Sequence, residues 1–218
     1  MELHGTLQVP TCLADIADPH RTALLIYDMQ AGIAGQVPGA ETIVAKCAEL
    51  IADARAAEMR VAFCRHLSAP PGWMGVAQMR MAMAWQRTSD PTAVKPWFLR
   101  DSPAGVIVPE LAPEPQDLVF DKLAMSAFEG TFLEFALRDA GLTGLAVAGI
   151  ALEIGIDITL RHAADLGFIP ILIEDACGHG DATAAARSIE TLRFAGDTIV
   201  TSSADFRAAI SSSAERHA

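Results

Sequence analysis

The 218-residue chain is poor in cysteine, in positive charge and in long apolar runs. Its four cysteines stand far apart without a C-x-x-C pair, which argues against a disulfide scaffold and indicates reduced thiols. Only 16 Lys and Arg face 27 Asp and Glu, and a net charge of −11 disfavours nucleic acid and anionic membranes as partners. No apolar run approaches the roughly 20 residues that span a bilayer, and the N-terminus lacks a signal-like segment. We therefore expect a cytoplasmic protein.

The composition instead favours a packed globule, and the pattern of apolar runs favours an α/β fold. Hydrophobic residues make up 51% and charged residues 20%, and the length suits a single domain over residues 1–218. Strand-like apolar runs lie at about 22–28, 60–65, 117–121, 144–149, 169–174 and 197–201. Helical patterns lie at about 40–57, 131–140, 152–166 and 181–195. This alternation predicts a parallel sheet with helices on both faces.

The connection at 67–116 is much longer than the others. It holds Pro70-Pro71, all three tryptophans and a methionine-rich stretch at 74–83. Connections of this length in compact α/β domains are usually lids or other functional segments. We therefore interpret 67–116 as a pocket-forming insertion.

Two charged residues close predicted strands. Asp28 ends the apolar run that begins at Ala23, and Lys122 follows the run that begins at Leu118. Ligands of parallel α/β sheets bind at the carboxyl ends of the strands, so both side chains are candidates for chemistry. The alternative interpretations are a turn-forming aspartate and a solvated strand-end lysine.

A third stretch, from Leu145 to Ile156, contains a strand that turns into a helix. Such an elbow is where a nucleophile is often presented, but Gly155 occupies the position. A glycine that only eases the packing of helix on sheet is an equally open interpretation.

Together with the motif Ser126-Ala127-Phe128-Glu129-Gly130-Thr131, these stretches resemble the isochorismatase-like hydrolases, or cysteine hydrolase superfamily. The resemblance runs from about Ala23 to about Asp205. It implies a Rossmann-like three-layer fold with six parallel strands in the order 3-2-1-4-5-6. It also implies an Asp, Lys and Cys triad that maps to Asp28, Lys122 and Gly155. The thiol is thus missing, as it is in the members that hydrolyse isochorismate.

The same resemblance carries further expectations. It implies a non-proline cis peptide near Ala151-Leu152, and with it an anion hole formed by the amides of Ala151 and Gly155. It assigns Phe128 to the substrate site and implies a homodimer or homotetramer. If the loop geometry is retained, Gly155→Cys would restore the triad and give a thiol that Lys122 activates.

Candidate substrate-binding residues lie in the insertion and after Gly155. Arginines 65, 87 and 100 and the three tryptophans suit a carboxylated or planar small molecule, and Arg87 and Trp97 are the preferred pair. The tryptophans as core or subunit-contact residues are the alternative. Glu153 either lines the pocket mouth or forms a solvated charge row with Asp157 and Arg161, and the row is favoured.

Cys177 lies near His179, so a relocated Cys-His nucleophile has to be considered, although spacing alone says nothing of approach geometry. Cys64 and His66 form at most a poor metal site, and we expect neither metal nor cofactor. Two functions follow. One is a hydrolase in which Asp28 assists the addition of water to an isochorismate-type vinyl ether, in preference to an amide. The other is a catalytically silent binding or scaffolding protein.

Overall fold

The six apolar runs pair into one parallel sheet in the computed structural model, which describes residues 1–217, with side chains described as far as Ser213. The strands are β1 (Glu2–His4), β2 (Leu7–Val9), β3 (Thr22–Tyr27), β4 (Arg60–His66), β5 (Leu118–Lys122), β6 (Gly144–Ile150), β7 (Ile169–Gly178) and β8 (Ile199–Thr201). The sheet order is β5-β4-β3-β6-β7-β8, and every pairing in it is parallel. Counted along the chain, this is the predicted order 3-2-1-4-5-6. The antiparallel hairpin of β1 and β2 was not predicted.

Eight α-helices connect and cover the strands in the described part of the chain. They are α1 (Leu13–Ile16), α2 (Ala31–Ala34), α3 (Ala40–Ala56), α4 (Val76–Trp85), α5 (Leu133–Asp139), α6 (Asp157–Asp165), α7 (Ala182–Ala195) and α8 (Ser203–His217). The helix predicted at 152–166 begins with a π-helix, Leu152–Ile156, before α6. The helix α8 follows the last strand and was not predicted.

The sheet separates two apolar cores, which makes the fold three-layered. Along β3, Leu24 and Ile26 face the core shared with α3 and α8. Leu25 and Tyr27 face the opposite core, shared with α5, α6 and α7. This alternation is the period of two expected of a strand, and it explains why β3 is apolar throughout, since both of its faces are buried.

The 67–116 connection crosses the carboxyl edge of the sheet and contains α4 with four short 3₁₀ turns. Gln30, just after β3, anchors this connection to the sheet. The side-chain amide of Gln30 donates to the carbonyls of His66 and Gly105 at 3.0 and 3.3 Å. The side-chain carbonyl of Gln30 in turn accepts from the His66 N–H at 2.6 Å. No described helix is long and apolar enough to cross a membrane.

Candidate active site

A pocket of about 370 Å³ opens at the carboxyl edge of the sheet. Asp28 follows β3, Lys122 ends β5, and Gly155 lies in the π-helix after β6. Asp28 and Gly155 both line the pocket. Lys122 does not line it but forms an ion pair with Asp28. The three residues of the predicted triad are therefore brought to one edge because parallel strands end on the same side.

Asp28 is the charged centre of the pocket. It is 6% exposed and takes a left-handed backbone conformation with φ 50°. Lys122 Nζ lies 2.8 Å from its Oδ2, and the Cys64 thiol donates to its Oδ1 at 3.4 Å. Burial raises the pKa of Asp28 above its ordinary value, because a charged carboxylate loses its hydration, while the neighbouring Lys122 ammonium opposes that rise.

Lys122 is more deeply buried than Asp28 and satisfies its charge in three ways. Its side chain has no exposed surface, and besides Asp28 it donates to the Ala124 carbonyl at 3.3 Å. Its Nζ also lies 4.3 Å from the centroid of the Tyr27 ring, a cation–π contact. Lys122 is therefore not a solvated strand-end lysine, and its charge acts on the pocket through Asp28 and Tyr27.

Tyr27 explains why residue 155 is glycine. A Cβ built on Gly155 would lie 1.9 Å from Tyr27 Oη and 2.6 Å from Tyr27 Cζ, far inside van der Waals contact. The phenol is 1% exposed, and its hydroxyl is held by a hydrogen bond donated to the Met125 carbonyl. The structure therefore argues against the expectation that Gly155→Cys restores the triad, because the phenol of Tyr27 already fills the space that a side chain at residue 155 needs.

The expected anion hole lacks one of its two free amide donors. The Gly155 N–H donates to the Ala151 carbonyl at 3.1 Å, so it does not point a free donor into the pocket. The non-proline cis peptide is Ile150-Ala151, one residue earlier than expected. Ala151 itself lines the pocket.

The insertion and β4 supply much of the remaining wall. The insertion contributes Ala84, Trp85, Arg87, Trp97 and Phe98. His66, at the end of β4, makes edge contacts with Trp85 and Phe98 at centroid distances of 6.1 and 5.9 Å. Burial, and secondarily the Lys122 charge, lower the pKa of His66 to about 3. His66 is therefore a neutral polar group at physiological pH and not the acid of the site.

Of the three candidate arginines, two form ion pairs outside the pocket and one lines the pocket. Arg65 and Arg100 both pair with Asp121, at 2.8 and 2.5 Å, and neither lines the pocket. Arg87 lines the pocket and has no ion pair among the described residues. Of the tryptophans, Trp85 and Trp97 line the pocket, while Trp73 lies outside it and is 84% exposed. Arg87 is thus the one candidate arginine that lines the pocket, and Trp97 shares the pocket with Trp85.

Two other candidate binding residues do not line the pocket. Phe128 is buried in the core with α5 to α7, stacked on Phe168 at a centroid distance of 5.8 Å. Glu153 Oε1 accepts from the N–H groups of Gly180 and Asp181 at 2.7 and 2.9 Å and so holds the turn before α7. The favoured charge row is wrong for Glu153, because its carboxylate faces that turn.

Only Asp157 and Arg161 of the expected charge row form an ion pair. Arg161 Nε lies 2.7 Å from Asp157 Oδ1, one turn apart on α6. Neither residue lines the pocket.

The cysteines do not offer a substitute nucleophile. Cys177 lies outside the pocket in the same core as Phe128, and its thiol donates to the Ile173 carbonyl at 3.3 Å. Burial raises the pKa of Cys177, and likewise that of Cys64, well above the ordinary thiol value, so neither forms a thiolate readily. Across the described residues, no group of three or more His, Cys, Asp or Glu side chains could hold a metal ion.

Sequence reasoning did not assign Tyr27 to the site, and it considered Cys64 and His66 only as poor metal ligands. The parallel register pairs Tyr27 with Cys64 and His66 with Lys122, so all three lie beside the buried ion pair. The available signal was positional: each stands at the carboxyl end of a predicted strand, close to a candidate already recognised along the chain or across the sheet.

With this fold and site described, comparison with known proteins identifies the family. Residues 22–205 match the isochorismatase domain, and the chain therefore belongs to the isochorismatase family of hydrolases.

Two curated relatives cover most of the chain. It is 32% identical to an uncharacterized isochorismatase family protein, YecD, of Escherichia coli O157:H7, over 77% of this chain and 85% of that protein. It is 29% identical to the ureidoacrylate amidohydrolase RutB of Pantoea ananatis, over 72% of this chain and 69% of that protein.

Solved structures agree with the fold. A cysteine hydrolase from Pseudomonas syringae pv. phaseolicola has a TM-score of 0.77 and 25% identity, and the match covers 89% of this chain and 94% of that one. An isochorismatase family protein from Burkholderia thailandensis has a TM-score of 0.72 and 28% identity, covering 88% and 96%.

Proposed function

We propose that the protein hydrolyses a small carboxylated molecule by Asp28-assisted addition of water, without a cysteine nucleophile, and that an isochorismate-type vinyl ether suits the site better than an amide. The observation that carries the proposal is the Tyr27 hydroxyl beside Gly155, since it excludes a thiol at that position while leaving the Asp28–Lys122 pair intact. A family site that keeps its acid and its cation but has no room for sulfur supports chemistry without an acyl-enzyme.

The reaction balances with Asp28 as the only proton carrier. Protonated Asp28 gives its proton to the terminal vinyl carbon, which leaves an oxocarbenium ion at the ether carbon. Water adds to that carbon, and its surplus proton returns to the Asp28 carboxylate. The resulting hemiketal breaks the bond between that carbon and the ether oxygen while its hydroxyl proton passes, by way of Asp28, to the departing oxygen, and an alcohol and a ketone are released. The raised pKa of Asp28 favours the first step, because more of the carboxyl is protonated near neutral pH than in an exposed aspartate.

The pocket walls support a substrate with an apolar or planar body and one carboxylate. The walls are mainly apolar, because Ile33, Val37, Ile150 and Ile154 line the pocket together with the aromatic residues of the insertion. Arg87 is the cation of the pocket without an ion pair among the described residues, and its planar guanidinium suits a carboxylate.

Amide hydrolysis is the second candidate, because the relatives include proteins named ureidoacrylate amidohydrolase. Without a thiol, water would have to attack the amide carbonyl directly, and the Gly155 amide is not free to stabilise the oxyanion. A screen of the purified protein against isochorismate, ureides and simple amides separates the two. Turnover of amides alone would contradict the vinyl-ether proposal.

Asp28→Asn should lower turnover by about 100-fold or more, since it removes the proton carrier but keeps the shape of the side chain. Steady-state kinetics measure the effect, and thermal unfolding checks that the variant is folded. Asp139→Asn, at an exposed position on α5, is the matched control and should leave kcat unchanged. Activity that survives Asp28→Asn but disappears in Cys177→Ala or Cys64→Ala would replace this mechanism with a thiol mechanism.

Arg87→Ala should raise KM about 10-fold or more for a carboxylated substrate while changing kcat little, because the guanidinium binds a part of the substrate that does not react. Steady-state kinetics over a range of substrate concentrations separate the two constants. Arg100→Ala is the control, since Arg100 pairs with Asp121 outside the pocket.

The variants Arg87→Ala and Arg100→Ala also test the alternative function, that of a catalytically silent binding protein. If wild-type protein turns over none of the screened compounds but binds small carboxylates, with affinity lost in Arg87→Ala and kept in Arg100→Ala, the protein is a silent binding member of the family.

A further inference from the structure

The Tyr27 hydroxyl occupies space that a side chain on residue 155 would need. Its oxygen is 1.9 Å from the position of a Cβ on Gly155, close to the length of a carbon–sulfur single bond. The oxygen comes from another strand, because Tyr27 is the last residue of β3 and its ring lies against Gly155 in the π-helix. A polar atom therefore occupies the nucleophile position even though residue 155 has no side chain.

The Tyr27 hydroxyl donates a hydrogen bond to the Met125 carbonyl and has the Thr159 side chain as a second hydrogen-bonding neighbour. The hydroxyl proton is donated to the Met125 carbonyl, so the oxygen presents only lone pairs to any other partner. Burial, and to a lesser extent the Asp28 charge, raise the pKa of Tyr27 well above its ordinary value, which keeps the phenol neutral. Tyr27 is thus a hydrogen-bond acceptor and not an oxyanion nucleophile.

Among the described residues that line the pocket, Tyr27 is the only one with a side-chain hydroxyl. Asp28, the proposed proton carrier, lines the same pocket. We propose that Tyr27 is a catalytic residue whose hydroxyl oxygen accepts a hydrogen bond from the attacking water and orients that water toward the substrate. The inference rests on the hydrolytic function proposed above and names the group that takes the place of the sulfur.

The proton balance leaves Tyr27 unchanged. One O–H of the water points to Tyr27 Oη, and a lone pair of the water forms the new bond to the substrate carbon. The other proton of the water passes to the Asp28 carboxylate, which has just given its own proton to the substrate. Tyr27 keeps its hydroxyl proton throughout, and that proton stays hydrogen-bonded to the Met125 carbonyl.

A role in packing alone would also explain the short distance to Gly155, so the test must remove the oxygen and keep the ring. Tyr27→Phe does this, because the ring still fills the core and still lies under Lys122. Tyr27 is also the single tyrosine of the chain, so uniform incorporation of fluorotyrosine alters residue 27 alone and weakens its oxygen as an acceptor without changing the fold.

The first measurement does not depend on turnover. Crystal structures of the wild type and of Tyr27→Phe should show an ordered water within hydrogen-bond distance of Tyr27 Oη on the pocket side, absent from the variant. A wild-type structure with no such water, or a variant that keeps it in place, overturns the inference whether or not a substrate has been found.

The second measurement is kinetic. With a substrate in hand, Tyr27→Phe should lower kcat by about 10-fold to 100-fold with KM changed less than about 2-fold, because a misplaced nucleophile affects the chemical step and not binding. The fluorotyrosine protein should fall between the two. Equal kcat in all three proteins contradicts the inference but leaves the proposed function standing, whereas a wild type that turns over no screened substrate contradicts the proposed function and the catalytic role of Tyr27 with it.

Discussion

Lys122→Met is expected to destabilise the protein by about 3–5 kcal/mol at a pH where Asp28 is ionised, because it leaves the buried Asp28 carboxylate without its counter-ion. The Lys122 side chain has no exposed surface and that of Asp28 is 8% exposed, so hydration compensates for only a small part of the lost ion pair. Chemical denaturation of wild type and variant, monitored by circular dichroism, measures the difference.

The loss should depend on pH with a definite sign. Burial already raises the pKa of Asp28 in the folded protein, and removal of the Lys122 charge raises it further. Folded protein then binds a proton that the unfolded chain has released, so stability falls as pH rises from the ordinary aspartate value through the raised one. The deficit of Lys122→Met should therefore be small at acid pH and largest above the raised pKa.

Two controls separate the buried pair from a general loss of charge. Lys46→Met breaks a pair with Asp175 in which both side chains are one-third exposed, and it should cost only about 0–1 kcal/mol. Adding Asp28→Asn to Lys122→Met removes the unpaired charge and should recover most of the lost stability. A deficit that is unchanged in the double variant would show that Lys122 acts through packing and not through Asp28.

Gly155→Cys is expected to destabilise the fold by about 3 kcal/mol or more and to give no rapidly reactive thiol. Its Cβ would overlap both Oη and Cζ of Tyr27, so the phenol must leave the core and lose its bond to Met125. Denaturant titration measures the stability, and alkylation of the folded protein measures the reactivity. Gly75→Cys is the control, because a Cβ there meets no atom within 4 Å.

A double-mutant cycle assigns the cost to Tyr27. Tyr27→Val removes the atoms that overlap, so Gly155→Cys should cost at least about 1 kcal/mol less in that background than in the wild type. Additive costs would mean that the overlap with Tyr27 is not what excludes a side chain at residue 155. Rapid alkylation of the introduced thiol in the single variant Gly155→Cys would mean that the phenol moves aside freely.

The sequence was most informative where structure depends on near neighbours. Alternating strand and helix patterns predicted the six strands, because each pattern is carried by residues that follow one another along the chain. The family resemblance added the strand order, which the structure confirms. Asp28 and Lys122 could be recognised because each is a charge at the end of an apolar strand, where packing has no use for it.

The sequence was least informative about the partners of long charged side chains, because such a side chain places its charge several ångströms from its own backbone. Arg65, Arg87 and Arg100 look alike in sequence, and only the position of Asp121 pairs two of them and leaves Arg87 for the pocket. Glu153 looked like part of a helical charge row, but the turn before α7 offers it two backbone donors.

The order of residues along the chain was enough to establish the α/β architecture, the strand ends that carry Asp28 and Lys122, and the lack of a cysteine at residue 155. The reason for that lack became visible only in the folded molecule. The Tyr27 ring and the backbone of Gly155 belong to segments far apart in the chain, and they meet because β3 and β6 are neighbours in the sheet. Whether two such groups fit together depends on packing at the scale of a single atom, which local sequence patterns do not encode.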